Sequence, residues 1–121
     1  MAKVLRVTRH SEMTSEQADA LQAAVTKLTS EEGPHDVVLH SETVKDAAEI
    51  LSLTESSGAA VVEAVLPPAI LADLTNPRIN SVGVPVIRAQ MDRVVDESGQ
   101  ATFAFNHYEK VVKVEVLVEA L

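Results

Sequence analysis

Three short groups of residues in this chain carry side chains able to move protons or hold an anion. They are Arg9-His10-Ser11, the trio Arg88, Gln90 and Arg93, and Asn106-His107-Tyr108. His10 exchanges protons near neutral pH and can act as a base, while Arg9 and Ser11 beside it suit a phosphate or carboxylate. The plainer reading is a polar connection in which Ser11 helps the chain turn into a helix. Arg88 lies inside an apolar run and reads as a phosphate clamp, with Glu63 orienting it and Gln90 and Arg93 following on the same run. Arg6 and Glu63 also sit in apolar runs, and for them the favoured account is a cross-strand ion pair or a place near a strand end where the side chain reaches water. Asn106-His107-Tyr108 could stack and hydrogen-bond a base, although a bulge whose aromatic covers a core edge is the commoner arrangement.

Other chemistries find less support. A metal site would need His10, His40 and His107 to converge without any cysteine, and none is expected. The four glycines are isolated, so the glycine-rich fingerprints of dinucleotide and triphosphate binding are missing and no cofactor is expected. A Ser11–His10 nucleophile pair lacks both a nucleophile elbow and a third member, and is rejected.

These groups fall just past the ends of expected strands, where ligands bind in open α/β sheets. Val4 to Thr8 reads as a first strand running into Arg9. Asp36 to Leu39 reads as a second, running into His40-Ser41, and Ala59 to Leu66 as a third, ending at Pro67-Pro68. A helix capped by Thr14, with Gln17 completing a capping box, carries Ala18, Leu21, Val25 and Leu28 on one face. A second helix is expected from Thr43 to Leu53 on Val44, Ala47, Ala48 and Leu51, and a short third one from Pro67-Pro68 through Leu74. The fourth strand spans Val84 to about Met91, and the turn signal Asp96-Glu97-Ser98-Gly99 between Val94-Val95 and Ala101-Thr102-Phe103 implies that it continues into a hairpin. Apolar positions are odd-numbered before Asn106 and even-numbered from Val112 to Val118. That change of phase requires a bulge, a bend or a break. The expectation is an α/β, Rossmann-like single domain over 1–121, with a mainly parallel sheet in the flavodoxin-like order 2-1-3-4 and a C-terminal β-hairpin extension.

Composition narrows the partners. With 121 residues, 46% apolar and 23% charged, the chain is long enough for one ordinary core. It has no cysteine, no apolar run of membrane-spanning length and no leader-like segment before the first strand, so a cytoplasmic protein without a membrane partner is expected. A net charge of −8 argues against long nucleic acid. A small anion remains open, because a pocket needs only a few local positive groups. Val111, Val112, Val114, Val116, Leu117 and Val118 exceed what one sheet face needs, which suggests a homodimer with its symmetric interface near the strand carboxyl ends.

Val7-Thr8-Arg9-His10-Ser11-Glu12-Met13-Thr14-Ser15-Glu16-Gln17 resembles the opening of small CRISPR-associated accessory proteins of type III systems. Gly83 to Arg93 resembles their fourth strand, and Gly99 to Tyr108 the hairpin that ends in Phe-x-His. The resemblance covers about half the chain and implies a CARF-like dimer that binds cyclic oligoadenylate, chiefly the tetra-adenylate ring, and cleaves it to end antiviral signalling. By position it matches Arg9 and His10 to the strand-end pair, Arg88 and Arg93 to the basic positions, and His107 to the Phe-x-His. The implied ring nuclease would use His10, Arg88 and His107 for catalysis and Arg9, Ser11, Gln90 and Arg93 for binding. It would need no metal, because the ring's own 2′-hydroxyl can attack the adjacent phosphate. A module that binds the ring without cutting it and a purely structural dimer are the alternatives.

Overall fold

The computed structural model describes residues 1–10, 12–80, 83–115 and 117–121. The chain alternates strand and helix as β1 (Lys3–Val7), α1 (Ser15–Thr29), β2 (Asp36–His40), α2 (Ala47–Ser57), β3 (Val61–Ala64) and α3 (Pro68–Leu74). It then finishes with β4 (Val86–Val95) and β5 (Ala101–Lys110). The five strands form one sheet in the order β2-β1-β3-β4-β5, parallel except for the antiparallel β4–β5 pair. The expected α/β architecture, with a mainly parallel sheet and a C-terminal hairpin, is therefore present.

Period-two alternation divides the sheet between two cores. Leu5, Val7, Val62, Ala64 and Val86 face α2 and α3, where Ala47, Ile50, Leu71 and Leu74 meet them. Val4, Val61 and Ile87 face α1 and pack on Leu21 and Val25. Central β3 is buried at all four positions, as a strand covered on both faces must be. Thr14 caps α1 by accepting the Gln17 N–H at 3.1 Å.

Three expectations need correction. The second helix starts at Ala47, four residues later than Thr43, because Asp46 accepts the Glu49 N–H at 2.9 Å and Glu49 reaches back to the Lys45 N–H at 3.1 Å. That reciprocal cap outcompetes Thr43, and the buried stripe becomes Ala47, Ile50 and Thr54. The third strand is only Val61–Ala64, since its neighbour β1 ends at Val7 and leaves Val65 exposed. The alternating tail from Val112 does not form a strand among the described residues. Val111 donates to the Val86 carbonyl at 2.8 Å, and Val111 and Val114 pack on the first core, while Val112, Leu117 and Val118 are exposed; Val116 lies outside the described residues.

β4 continues through Val94-Val95 into the hairpin, as the turn signal after them leads one to expect. Only Val86 and Ile87 pair with β3, and Ala89 to Val95 continue beyond the level of Ala64 with β5 as their sole partner. At about 3.3 Å per residue, this arm extends roughly 20 Å past the carboxyl edge of the parallel strands. Asp96 closes its turn by accepting from Ser98 and Gln100, and Gly99 takes the positive φ of 85° that the reversal needs.

Candidate functional site at the carboxyl edge

Arg9 and His10 leave the end of β1 and line an open cleft of about 260 Å³. Glu42, Thr43 and Val44 from the β2–α2 connection form a second wall, and Val65, Leu66 and Pro67 after β3 form the third. The late start of α2 creates that second wall, because Thr43 is left in the connection and accepts a hydrogen bond from the Arg9 guanidinium. Ser11 lies outside the described residues.

The His10 backbone is fastened on both sides of its Cα. Its N–H donates to the Thr8 hydroxyl at 3.1 Å, and its carbonyl accepts from Arg6 Nη2 at 3.1 Å. Arg6 is 5% exposed and forms a buried ion pair with Glu63, 3% exposed, which stands opposite it in the β1–β3 ladder. Tyr108 donates its hydroxyl proton to Glu63 Oε1 at 3.2 Å and accepts from Gln17 Nε2 at 3.0 Å. Burial, with the neighbouring Glu63 charge adding to it, pushes the Tyr108 hydroxyl up to about 12, so it remains a donor.

Tyr108 reaches that position because of a bulge. Gln90 pairs with His107 and Met91 pairs with Phe105, leaving Asn106 without a partner. The extra residue turns Tyr108 toward α1, where its ring lies 5.2 Å from that of Phe105, and turns His107 to the opposite face. The phase change in the sequence is thus a bulge, and the aromatic covers a core edge.

The remaining candidates are spread along the sheet. Arg88, Gln90 and His107 share the face of the hairpin that carries Val86, and Arg93, five positions from Arg88, points to the other. Arg88 Nε donates to Glu109 at 2.6 Å, so Glu109 holds it, while Glu63 belongs to Arg6 on the opposite face. Arg88 borders a separate groove with Lys110 and Lys113. Exposed His107 has Asn106 Oδ1 2.9 Å from its Nδ1. β3 separates β1 from β4, so Arg9 and His10 lie about 10 Å across the sheet from the line of Arg88 and Gln90.

The sequence reading missed Thr43, the buried polar set around Tyr108, and His35. The Asp46-x-x-Glu49 cap would have placed Thr43 in a connection. Gln17, four and eight residues before Leu21 and Val25, lies on the buried stripe of α1. His35 is a structural residue. Its Nδ1 accepts the Ala2 N–H at 2.9 Å, so Nε2 carries the proton toward Thr26 Oγ1, also at 2.9 Å. Among the described residues no three His, Asp or Glu side chains are gathered as a metal-holding group, and no helix is long and apolar enough to cross a membrane. No protein-family model and no curated protein matches the chain.

Proposed function

We propose that this chain is a CARF-like, Rossmann-like domain that works in the cytoplasm as a homodimer, binding and cleaving a cyclic oligoadenylate, with cyclic tetra-adenylate the first candidate. The observation that carries the reading is the pair Arg9 and His10. They carry the motif that resembles the accessory-protein opening, and they line a cleft at the carboxyl ends of β1 and β3, where a ligand of an α/β sheet is expected.

The cleft of about 260 Å³ is smaller than the roughly 300–1,000 Å³ of ordinary small-molecule sites. A ring of four nucleotides therefore needs more than one such cleft. A dimer supplies two related by its axis, which suits a two-fold symmetric ligand. The exposed Leu117 and Val118 of the C-terminal tail supply apolar surface for such an association.

In the proposed reaction a ribose 2′-hydroxyl attacks the adjacent phosphorus. The O2′–P bond forms, the P–O5′ bond breaks, His10 takes the 2′-hydroxyl proton, and the departing 5′-oxygen takes a proton from water, to which His10 later returns its own. The products are a linear chain with a 2′,3′-cyclic phosphate and a 5′-hydroxyl. Arg9 supplies positive charge to the developing phosphorane, while Arg88, Gln90 and His107 meet the parts of the ring lying beyond β3.

The hold of Glu109 on Arg88 favours a second reading, a module that binds the ring without cutting it. Incubating purified protein with labelled cyclic tetra-adenylate, with and without EDTA, tests both. Linear product in both conditions supports cleavage by the protein alone. A retained but intact ring supports the binding module, and a ring neither retained nor cut removes both readings.

A further inference from the structure

We infer that Arg6, held by Glu63 and Tyr108, is a positioning residue that fixes the backbone of His10 and so presents its imidazole at the cleft. The inference rests on the reading of His10 as the proton acceptor of the site.

Energetics give the first argument. A buried ion pair is a poor way to stabilise a core, since an apolar pair of similar volume is often as good or better. This one is also incompletely satisfied: Arg6 Nε and Glu63 Oε2 are both buried without a hydrogen-bond partner among the described residues. Fold stability therefore does not account for it.

Geometry gives the second. The guanidinium joins two elements, with Nη1 on Glu63 of β3 and Nη2 on the His10 carbonyl, 3.1 Å away, just past the end of β1. Glu63 is in turn held by the Tyr108 hydroxyl, and Tyr108 by Gln17. The chain of contacts runs from the first turn of α1 and the base of the β4–β5 arm to the peptide that carries His10. Both ends of the β1–α1 connection are thereby tied to one buried cluster. A planar, doubly anchored guanidinium suits this task because its donors diverge in a fixed fork.

Two variants test it. The paired replacement Arg6→Met with Glu63→Leu removes the link without stranding a charge, and Tyr108→Phe removes only a hydroxyl. The readouts are the His10 and His35 ring resonances by NMR, together with single-turnover cleavage and affinity for cyclic tetra-adenylate. The expected result is a moved or broadened His10 resonance in both variants with His35 unchanged. The paired variant should also lose about 10–100-fold in cleavage rate, as usual when an orienting partner is removed, with affinity changed less than about threefold.

A native His10 resonance in the folded paired variant would overturn the inference. If that variant does not fold, a native His10 resonance in Tyr108→Phe does the same. Should wild-type protein leave the ring intact while the His10 resonance still moves, the positioning role stands and the proposed activity falls.

Discussion

Arg6 on β1 and Glu63 on β3 stand directly opposite each other in the parallel ladder, both almost wholly buried, and the arginine spends its other end on the His10 carbonyl. Removing one partner leaves the other charge uncompensated. Arg6→Gln should lower unfolding stability by about 3–5 kcal/mol, whereas Arg6→Met with Glu63→Leu should leave it unchanged or raised. Urea unfolding of the two variants checks this, and equal losses in both would contradict it.

Tyr108 is the sole tyrosine in a chain without tryptophan, so the near-ultraviolet tyrosinate band reports it alone. Its ionisation in folded protein should centre near 12, against an ordinary 10.0. The folded state thus holds this proton more tightly than the unfolded state. The stability involved is complete below pH 10 and disappears as pH rises toward 12. Wild type should lose more stability than Tyr108→Phe across that interval. A tyrosinate midpoint near 10 would show the hydroxyl to be outside the buried cluster.

At the tip of the arm the Ser98 hydroxyl, then the backbone N–H of Gln100, hold the exposed Asp96 carboxyl below the usual carboxylate range. Its stabilisation is present above the unfolded value and is lost as pH falls through the folded one. Asp96→Ala should therefore melt at a lower temperature than wild type near neutral pH, with the gap closing in acid. A gap independent of pH would mean that the carboxylate does not close this turn.

Much of the fold was legible because the periods are clean. The almost continuously apolar run from Ala59 to Leu66, broken only by Glu63, and the spacing of Leu21 and Val25 dictate a covered strand and an amphipathic helix. Asp96 to Gly99 announces the hairpin. The α2 start was misread because apolar spacing begins at Val44, before the Asp46 cap that sets the boundary. Alternation from Val112 onward predicts a strand only where a neighbour can pair with it, and after the Val111 bond to the Val86 carbonyl no ladder continues among the described residues.

Candidate site residues were legible by their place after strands, but their partners were not. Counted back from the turn without a bulge, Arg88 would face Tyr108. The additional residue at Asn106 sets it opposite Glu109 and sends Tyr108 to Glu63. One unpaired residue thus decides which acid meets which donor, and local sequence pattern does not encode a cross-strand register shift by itself.

Light scattering at tens of micromolar protein should return about 26 kDa, twice the chain mass of 13.0 kDa. Replacing exposed Leu117 and Val118 together by Asp should shift the population toward single chains, since charge at an apolar contact opposes association. A mass near 13.0 kDa for wild type would remove the dimer from the account.

The central claim is that His10 acts on a ring held at the carboxyl edge, and single-turnover cleavage of labelled cyclic tetra-adenylate by wild type and His10→Ala tests it most directly. Linear product is expected from wild type, with a rate about 10²–10⁴-fold lower in His10→Ala and ring binding largely kept. Undiminished cleavage by His10→Ala, or a ring still intact after long incubation with wild type, would contradict it.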